Sequence, residues 1–420
     1  MCIRDSVLAV FGQGLIAGFT LLACLLVGAA LALPVLIRPC LTFAERRVRG
    51  PIARWFWADT RQQLPGLSLA LMALMLAISA NVGVATMVSS FRLTFIAFLD
   101  QRLAPELYVQ TATAAQADAL QLRLPEDGTT VLPVLSVDTL IAQQPTRMFG
   151  VQVGPTYREN WVFLEAQPKA WDQVNAGTAA VVNEQLARRG DLSVGDSLSL
   201  KDGHTVTLAA IVADYGNPTG QLIVGEDLFR TLNPGVTTNR FGLRTNDAEG
   251  VRATLVSELG IANSAITDQS ALKAISLQVF ERTFAVTAAL NVLTLAVAGF
   301  AMLMSLLTLA DLRVPQLAPV WALGMTRAKI GQLELLRTIV FAVMVCVVAL
   351  PVGLGLAWVL LAIVNVEAFG WRLPMFLFPG DYFRLFCFAV LAAITAACWP
   401  AMRLMRLPPA RLLKVFANER

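Results

Sequence analysis

The sequence predicts a membrane α-helical fold: five transmembrane helices, with an α+β domain inserted between the second and third helices. Three observations carry that expectation. No Asp, Glu, Lys, Arg or His occurs in residues 7–37, 65–91, 283–310, 338–366 or 385–402. A helix rises about 1.5 Å per residue, so about 20 apolar residues cross the hydrocarbon core of a bilayer, and each stretch meets or approaches that length. The stretches also lack the polar face that a water-soluble core helix shows at 3.6-residue spacing. Finally, residues 92–282, between the second and third stretches, are polar and net acidic, with 15 Lys/Arg against 21 Asp/Glu.

The totals agree, at 56% hydrophobic and 15% charged. Because the insert is acidic, the overall charge of +4 describes neither compartment and gives no sign of nucleic-acid binding. Cys2, Cys24, Cys40, Cys346, Cys387 and Cys398 all lie outside the insert, so the insert folds on an ordinary core without an internal disulfide. The lone His204 follows Lys201-Asp202-Gly203, a predicted hairpin turn, with no second His and no Cys nearby. That arrangement argues against a metal site.

Basic residues set the orientation. Residues 38–64 carry Arg38, Arg46, Arg47, Arg49, Arg54 and Arg61 against Glu45 and Asp59. Residues 311–337 carry Arg313, Arg327, Lys329 and Arg337, and the tail carries Arg403, Arg406, Arg411, Lys414 and Arg420. Residues 367–384 hold only Arg372 and Arg384. Positive loops stay in the cytoplasm, so the insert, residues 367–384 and the N-terminus are placed outside. An N-out start without a charged leader leads to the expectation that the chain is the C-terminal part of something longer.

The insert is long enough for one or two small domains. Residues 92–100 and 269–281 prolong the flanking spans with apolar residues on one face, either as a helical stalk or as amphipathic ends lying at the membrane interface. Glu106–Thr111, Trp161–Glu165 and Arg240–Arg244 read as strands, and 183–189 and 247–259 as helices, the second closed by Gly260. Residues 193–213 read as a hairpin turning at Asp202-Gly203. The adjacent acids Glu126-Asp127 and Glu226-Asp227 read as turn or helix-cap residues, because sequence neighbours point in different directions. Residues 215–220, Tyr-Gly-Asn-Pro-Thr-Gly, read as a structured loop.

No Gly-x-x-x-x-Gly-Lys-Ser/Thr phosphate loop occurs, and the spans carry no ionisable residue for ion coupling. Gln13, Asn81, Asn291 and Asn365 read as helix–helix hydrogen bonds or interface residues. Energy for any work is therefore expected from a cytoplasmic partner. The expected docking site lies after the third span, where a short amphipathic segment ends at Gly324 and a new helix starts at Thr326, its N-cap. Leu317, Val320, Trp321 and Leu323 give this segment an apolar face. The alternative is that this face rests on lipid headgroups, with Trp321 as an interfacial anchor.

At this segment the sequence resembles the FtsX/MacB-like permease superfamily of ABC systems. The resemblance rests on Arg313, on Trp321-Ala322-Leu323-Gly324 and on Thr326; Gln316 stands where a Glu is common. The tail, residues 406–414, is similar to the family's Pro-x-x-Ala-Leu-Arg-like ending, and residues 179–188 with Val194-Gly195-Asp196 are similar to its periplasmic core. Residues 365–374 and 215–218 bring the chain nearest the long two-repeat permeases of the YbbP type, as a C-terminal portion.

That resemblance implies a joining helix at 1–40, a cytoplasmic loop at 41–64, a transmembrane helix at 65–91 and a stalked periplasmic α+β domain at 92–282. It further implies three helices forming an FtsX-like permease domain at 283–404 and a cytoplasmic tail at 405–420. The implied role is a non-catalytic subunit of a bacterial inner-membrane ABC exporter or lipid/lipoprotein-handling complex, passing ATPase-driven movement to the periplasmic domain. Arg313, Gln316, Val320, Trp321, Leu323, Gly324 and Thr326 would couple to the ATPase. The chain would need no cofactor, ATP being bound by the partner. Expected partners are a cytoplasmic ABC ATPase dimer, membrane lipid, a periplasmic protein or lipoprotein, and a second permease repeat or second copy. Two rival readings are an FtsX-like regulator of a periplasmic cell-wall hydrolase and a membrane-tethered enzyme or sensor.

Overall fold

The computed structural model describes residues 14–406 apart from Gly216 and Pro218, with backbone alone at 126–127, 279–285, 288 and 310–318. Two compact units emerge. The first comprises residues 14–90, 283–364 and 374–406; the second comprises 91–282 and 365–373.

The chain opens with α1 (Leu15–Arg47) and α2 (Pro51–Arg102). There follow β1 (Leu107–Gln110), α3 (Ala114–Arg123), β2 (Thr130–Pro133), β3 (Leu135–Ile141), β4 (Gln144–Val151), α4 (Pro155–Asn160), β5 (Phe163–Ala166) and α5 (Ala170–Asn175). Next come β6 (Ala179–Asn183), α6 (Glu184–Arg189), β7 (Ser197–Ser199), β8 (Thr205–Val212), β9 (Gly220–Gly225) and α7 (Glu226–Leu232). Then β10 (Arg240–Arg244), α8 (Ala248–Ser257) and β11 (Ile266–Asp268) lead into α9 (Gln269–Ala322) and α10 (Arg327–Val359). A π-turn, Leu360–Val364, joins α10 to the short α11 (Asn365–Phe369), and α12 (Pro379–Met405) follows.

Five helical segments among the described residues are long and apolar enough to cross a membrane: Leu15–Arg47, Pro51–Arg102, Ala289–Leu309, Arg327–Phe369 and Pro379–Met405. The first unit packs them around Leu33, Leu71, Met75, Met302, Phe341 and Ala393, all buried. Asn81 donates Nδ2–H to the Asn291 backbone O (3.1 Å) and accepts from the Thr294 hydroxyl (3.0 Å), so the Asn81 side chain ties α2 to α9. Gln13 lies outside the described residues. The expected loop at 38–64 is helical except at 48–50, and α9 runs on through Pro315 and Pro319 to Ala322. Hydropathy marks where the bilayer ends; a helix ends only where a cap supplies partners for its last carbonyls.

The second unit holds two sheets. The antiparallel sheet β11–β1–β10–β2 buries Leu107, Val109, Phe241 and Leu243 against Leu120 of α3 and Leu255 of α8. The seven-stranded sheet runs β3–β4–β9–β6–β8–β5, with β7 added to β8. Its central strand β6 sends Ala180 and Val182 into one core and Ala179 and Val181 into the other. The hairpin β7–β8 turns at Asp202 (φ 57°) and Gly203 (φ 76°), as the Asp-Gly pair predicts. The hairpin β3–β4 turns instead on Ala142 (φ 47°) and Gln143 (φ 61°). Those residues are poor turn signals, so that hairpin is invisible in the sequence.

Candidate functional site: a capped helix break and a clasp on the sheet

The break between α9 and α10 is built by local hydrogen bonding. Met325 N–H donates to Val320 O (3.4 Å) and Gly324 N–H to Trp321 O (2.9 Å), the paired bonds of a Schellman motif. Gly324 takes φ +101°, a conformation that side-chain-bearing residues rarely adopt. The Thr326 hydroxyl then accepts from Lys329 N–H (3.3 Å) and starts α10. Trp321, Met325 and Trp55 pack against Ile330 and Leu404, so Trp321 is seated on the helical bundle. Leu323, at the tip, is 90% exposed.

Of the expected coupling residues, Val320, Trp321, Leu323, Gly324 and Thr326 therefore share this one turn. Arg313 and Gln316 lie further back on α9, and their side chains are outside the described residues. Trp55, Met325, Ile330 and Leu404 were not anticipated. A tryptophan at position 55 of an otherwise basic stretch was the available signal.

In the second unit, Asn183 closes β6 and is fully buried. Its Oδ1 accepts from Leu186 N–H (3.1 Å) and Gln221 N–H (2.9 Å), and its Nδ2 donates to Asp214 (3.3 Å) and Thr219 O (3.1 Å). Asn217 also donates to Asp214 (2.9 Å); of the loop expected at 215–220, Gly216 and Pro218 lie outside the described residues. The two residues after Asn183 grip the segment 365–373. Gln185 Nε2 donates to Phe369 O (2.9 Å), and Glu184 Oε2 accepts from Arg372 N–H (3.2 Å). Asn365 Nδ2 donates to Trp371 O (2.7 Å), and Gly370 lies so close to Gln185 that a Cβ would stand 2.9 Å from its Cγ.

The end of α2 is held in the same region of the sheet. Arg102 donates to Ala213 O (2.8 Å), just past β8, and its guanidinium stacks on Trp161 at 3.5 Å. Asn183 and Val212 are register partners in the parallel pair β6–β8. One end of these two neighbouring strands thus receives both the α2 terminus and the 365–373 segment. Lys273 of α9 pairs with Asp100 of α2, and Gln269 N–H donates to Glu106 O (3.0 Å).

Tyr157, beside Trp161 and Trp171, has its phenol pushed up to about 12, chiefly by burial. No three His, Cys, Asp or Glu side chains gather as a metal would require among the described residues. His204 stands exposed at its turn. A groove of about 800 Å³ is lined by Glu106, Arg252 and Asp268, and there Arg252 is already paired with Asp268.

A family model described as the FtsX-like permease C-terminal domain matches residues 288–409, and one described as the MacB-like periplasmic core domain matches 67–258. The chain is 28% identical to the uncharacterized ABC transporter permease protein Rv0987 of Mycobacterium tuberculosis, over 94% of this chain and 49% of that protein. It therefore spans about half the length of the curated relative it matches. Two solved structures show a slight likeness to part of the chain. One is the extracellular domain of the noncanonic ABC-type transporter YknZ from Gram-positive bacteria (14% identity, TM-score 0.29, covering 39% of this chain and 98% of that one). The other is the periplasmic region of MacB from Actinobacillus actinomycetemcomitans (12% identity, TM-score 0.30, covering 40% and 90%). The chain thus carries a MacB-like periplasmic core domain followed by an FtsX-like permease C-terminal domain, the pairing of an FtsX/MacB-type ABC transporter permease.

Proposed function

We propose that the chain is one half of an inner-membrane ABC permease that carries ATPase-driven movement to its periplasmic domain, in an exporter or a lipid- or lipoprotein-handling complex. The observation that carries this reading is the α9–α10 break. A Schellman-capped turn holds Trp321 on the bundle and presents Leu323, 90% exposed, on the basic side of the chain. An exposed apolar tip on a packed, hydrogen-bonded base is suited to a protein groove, because force applied there passes into packed side chains. The nucleotide-binding partner holds the ATP, and this chain contributes no cofactor. A second permease repeat, or a second copy, faces the other half of the ATPase dimer.

Movement leaves the bundle along two helices, α2 and α9, whose residues continue into the periplasmic unit, and along the segment 365–373. Arg102 and the Glu184–Gln185 grip receive it at the ends of β8 and β6. The test is capture of a P-loop ATPase by the full chain in its native membrane. Leu323→Asp and Gly324→Pro should each abolish capture while the chain still inserts. Capture that survives both changes in a correctly inserted chain overturns this docking site.

A further inference from the structure

Arg337 is 2% exposed, one of the largest fully buried side chains described. Its Nη1 donates to Glu334 Oε2 (2.8 Å), its Nε donates to the Thr60 hydroxyl (3.1 Å), and its Nη2 pairs with Asp59. The guanidinium also lies over the Phe56 ring, 5.7 Å from its centre. Asp59 accepts in addition from Gln63 Nε2 (2.8 Å).

Burying a guanidinium is unfavourable unless its donors are met, and even a well-met ion pair seldom stabilises more than an apolar set of the same volume. Cohesion alone therefore gives weak reason for charge here. What directional bonds add over apolar contacts is a fixed register, the use to which a buried polar group is put between paired helices. The position of the cluster says what that register serves. Asp59 and Thr60 stand one turn beyond Trp55 and Phe56 on α2, and Glu334 and Arg337 stand one and two turns beyond Ile330 on α10. Trp55 of α2, like Trp321 and Met325 of the break, packs on the small cluster that Ile330 of α10 forms with Leu404. The faces that meet the α9–α10 break are the faces the arginine ties together.

We propose that Arg337 is a positioning residue that locks the start of α2 to the start of α10. A push received at Trp321 and Met325 then moves both helices as one body. This rests on the coupling role proposed above.

The test uses the full chain in lipid nanodiscs with its captured ATPase and a cysteine-free background. Spin labels are placed at Ile52 and Ala328, both exposed and outside the cluster. In the wild type the distance distribution between them should stay equally narrow with ADP and with a non-hydrolysable ATP analogue, while a label at Leu323 responds to nucleotide. Arg337→Gln should at least double the width of the 52–328 distribution on ATP binding. The apolar replacement Asp59→Leu, Glu334→Leu, Arg337→Met guards against simple misfolding: it should melt at or above the wild-type temperature yet show the same widening, which a purely structural cluster would not produce. A 52–328 distance that changes with nucleotide in the wild type overturns the proposal, as does an unwidened distribution in the folded triple variant. If no ATPase binds the wild type, the coupling reading is what fails. The chain alone then decides the lock: a narrow wild-type distribution beside a broadened triple variant supports it, and equal widths overturn it.

Discussion

Gly353 of α10 lies against Val82 of α2 so closely that a Cβ built on the glycine would stand 2.6 Å from the Val82 Cβ. The same Cβ would stand 2.8 Å from Ser79 O, and the Ser79 hydroxyl donates to Ala349 O (3.2 Å) across the helix pair. Gly83 faces back, its Cβ position 3.0 Å from the Leu356 Cβ. Two glycines thus let the backbones of α2 and α10 approach, as small residues do where lipid provides no hydrophobic drive between helices.

Gly353→Val should therefore destabilise the bundle by about 3 kcal/mol or more, the upper range for overpacking, because backbone as well as side chain must move. Gly355→Ala is the control, since its Cβ would meet only Leu25 Cδ1 at 3.8 Å and should change stability by less than about 0.5 kcal/mol. Thermal melts of the two variants in the same detergent check both.

At the α9–α10 break, a Cβ on Gly324 would meet nothing within 4 Å, so its requirement is conformational rather than steric. Gly324→Ala should cost about 1–3 kcal/mol from backbone strain at positive φ. Thr326→Ala should cost about 1 kcal/mol from the lost cap. Hydrogen exchange should show the first turn of α10 opening more readily in both variants, with the rest of the bundle unchanged.

Asn183 tests the periplasmic unit. Asn183→Leu strands the Leu186 and Gln221 N–H groups in the core, each at about 1–3 kcal/mol, and should unfold that unit at lower denaturant. Asn183→Asp can still accept both bonds but sets a second carboxylate beside Asp214, at the place where Nδ2 now donates at 3.3 Å. One of the two acids then holds its proton to higher pH. The variant should accordingly grow more stable as pH falls from 8 to 5, a trend that melts across that range would reveal.

The phenols give a test in alkali. Burial pushes Tyr157 and Tyr215 up to about 12 from an ordinary 10, and raises Tyr108 as well. A group whose pKa is raised by folding contributes its stability in full below the unfolded value and loses it as pH climbs through the folded one. The periplasmic unit should thus hold its stability up to about pH 10 and lose it towards pH 12. Absorbance should show these phenolates forming only as the unit opens.

Much of this arrangement was legible in the sequence, and the remainder was hidden for identifiable reasons. Charge-free runs revealed the five helices, and Gly324 followed by Thr326 revealed the break, since caps are local chemistry. Strand β6 was missed because it is buried on both faces, so Ala-Ala-Val-Val-Asn shows no alternation. Strands β2, β3, β4, β9 and β11 escaped too, with the β3–β4 turn resting on Ala142 and Gln143. The Arg337 cluster was unreadable, because Asp59 and Arg337 are 278 positions apart and each looks like an ordinary basic-side loop residue. The grip of Glu184 and Gln185 on 369–372 was hidden by the same kind of separation.

The most direct measurement is hydrogen exchange across the periplasmic unit of the reconstituted permease–ATPase complex, compared with ATP trapped and with ADP. The account predicts that exchange changes at residues 183–190 and 365–373 when ATP is trapped, and that Leu323→Asp abolishes the change. An ATPase that binds and hydrolyses while exchange in the whole periplasmic unit stays the same would contradict it.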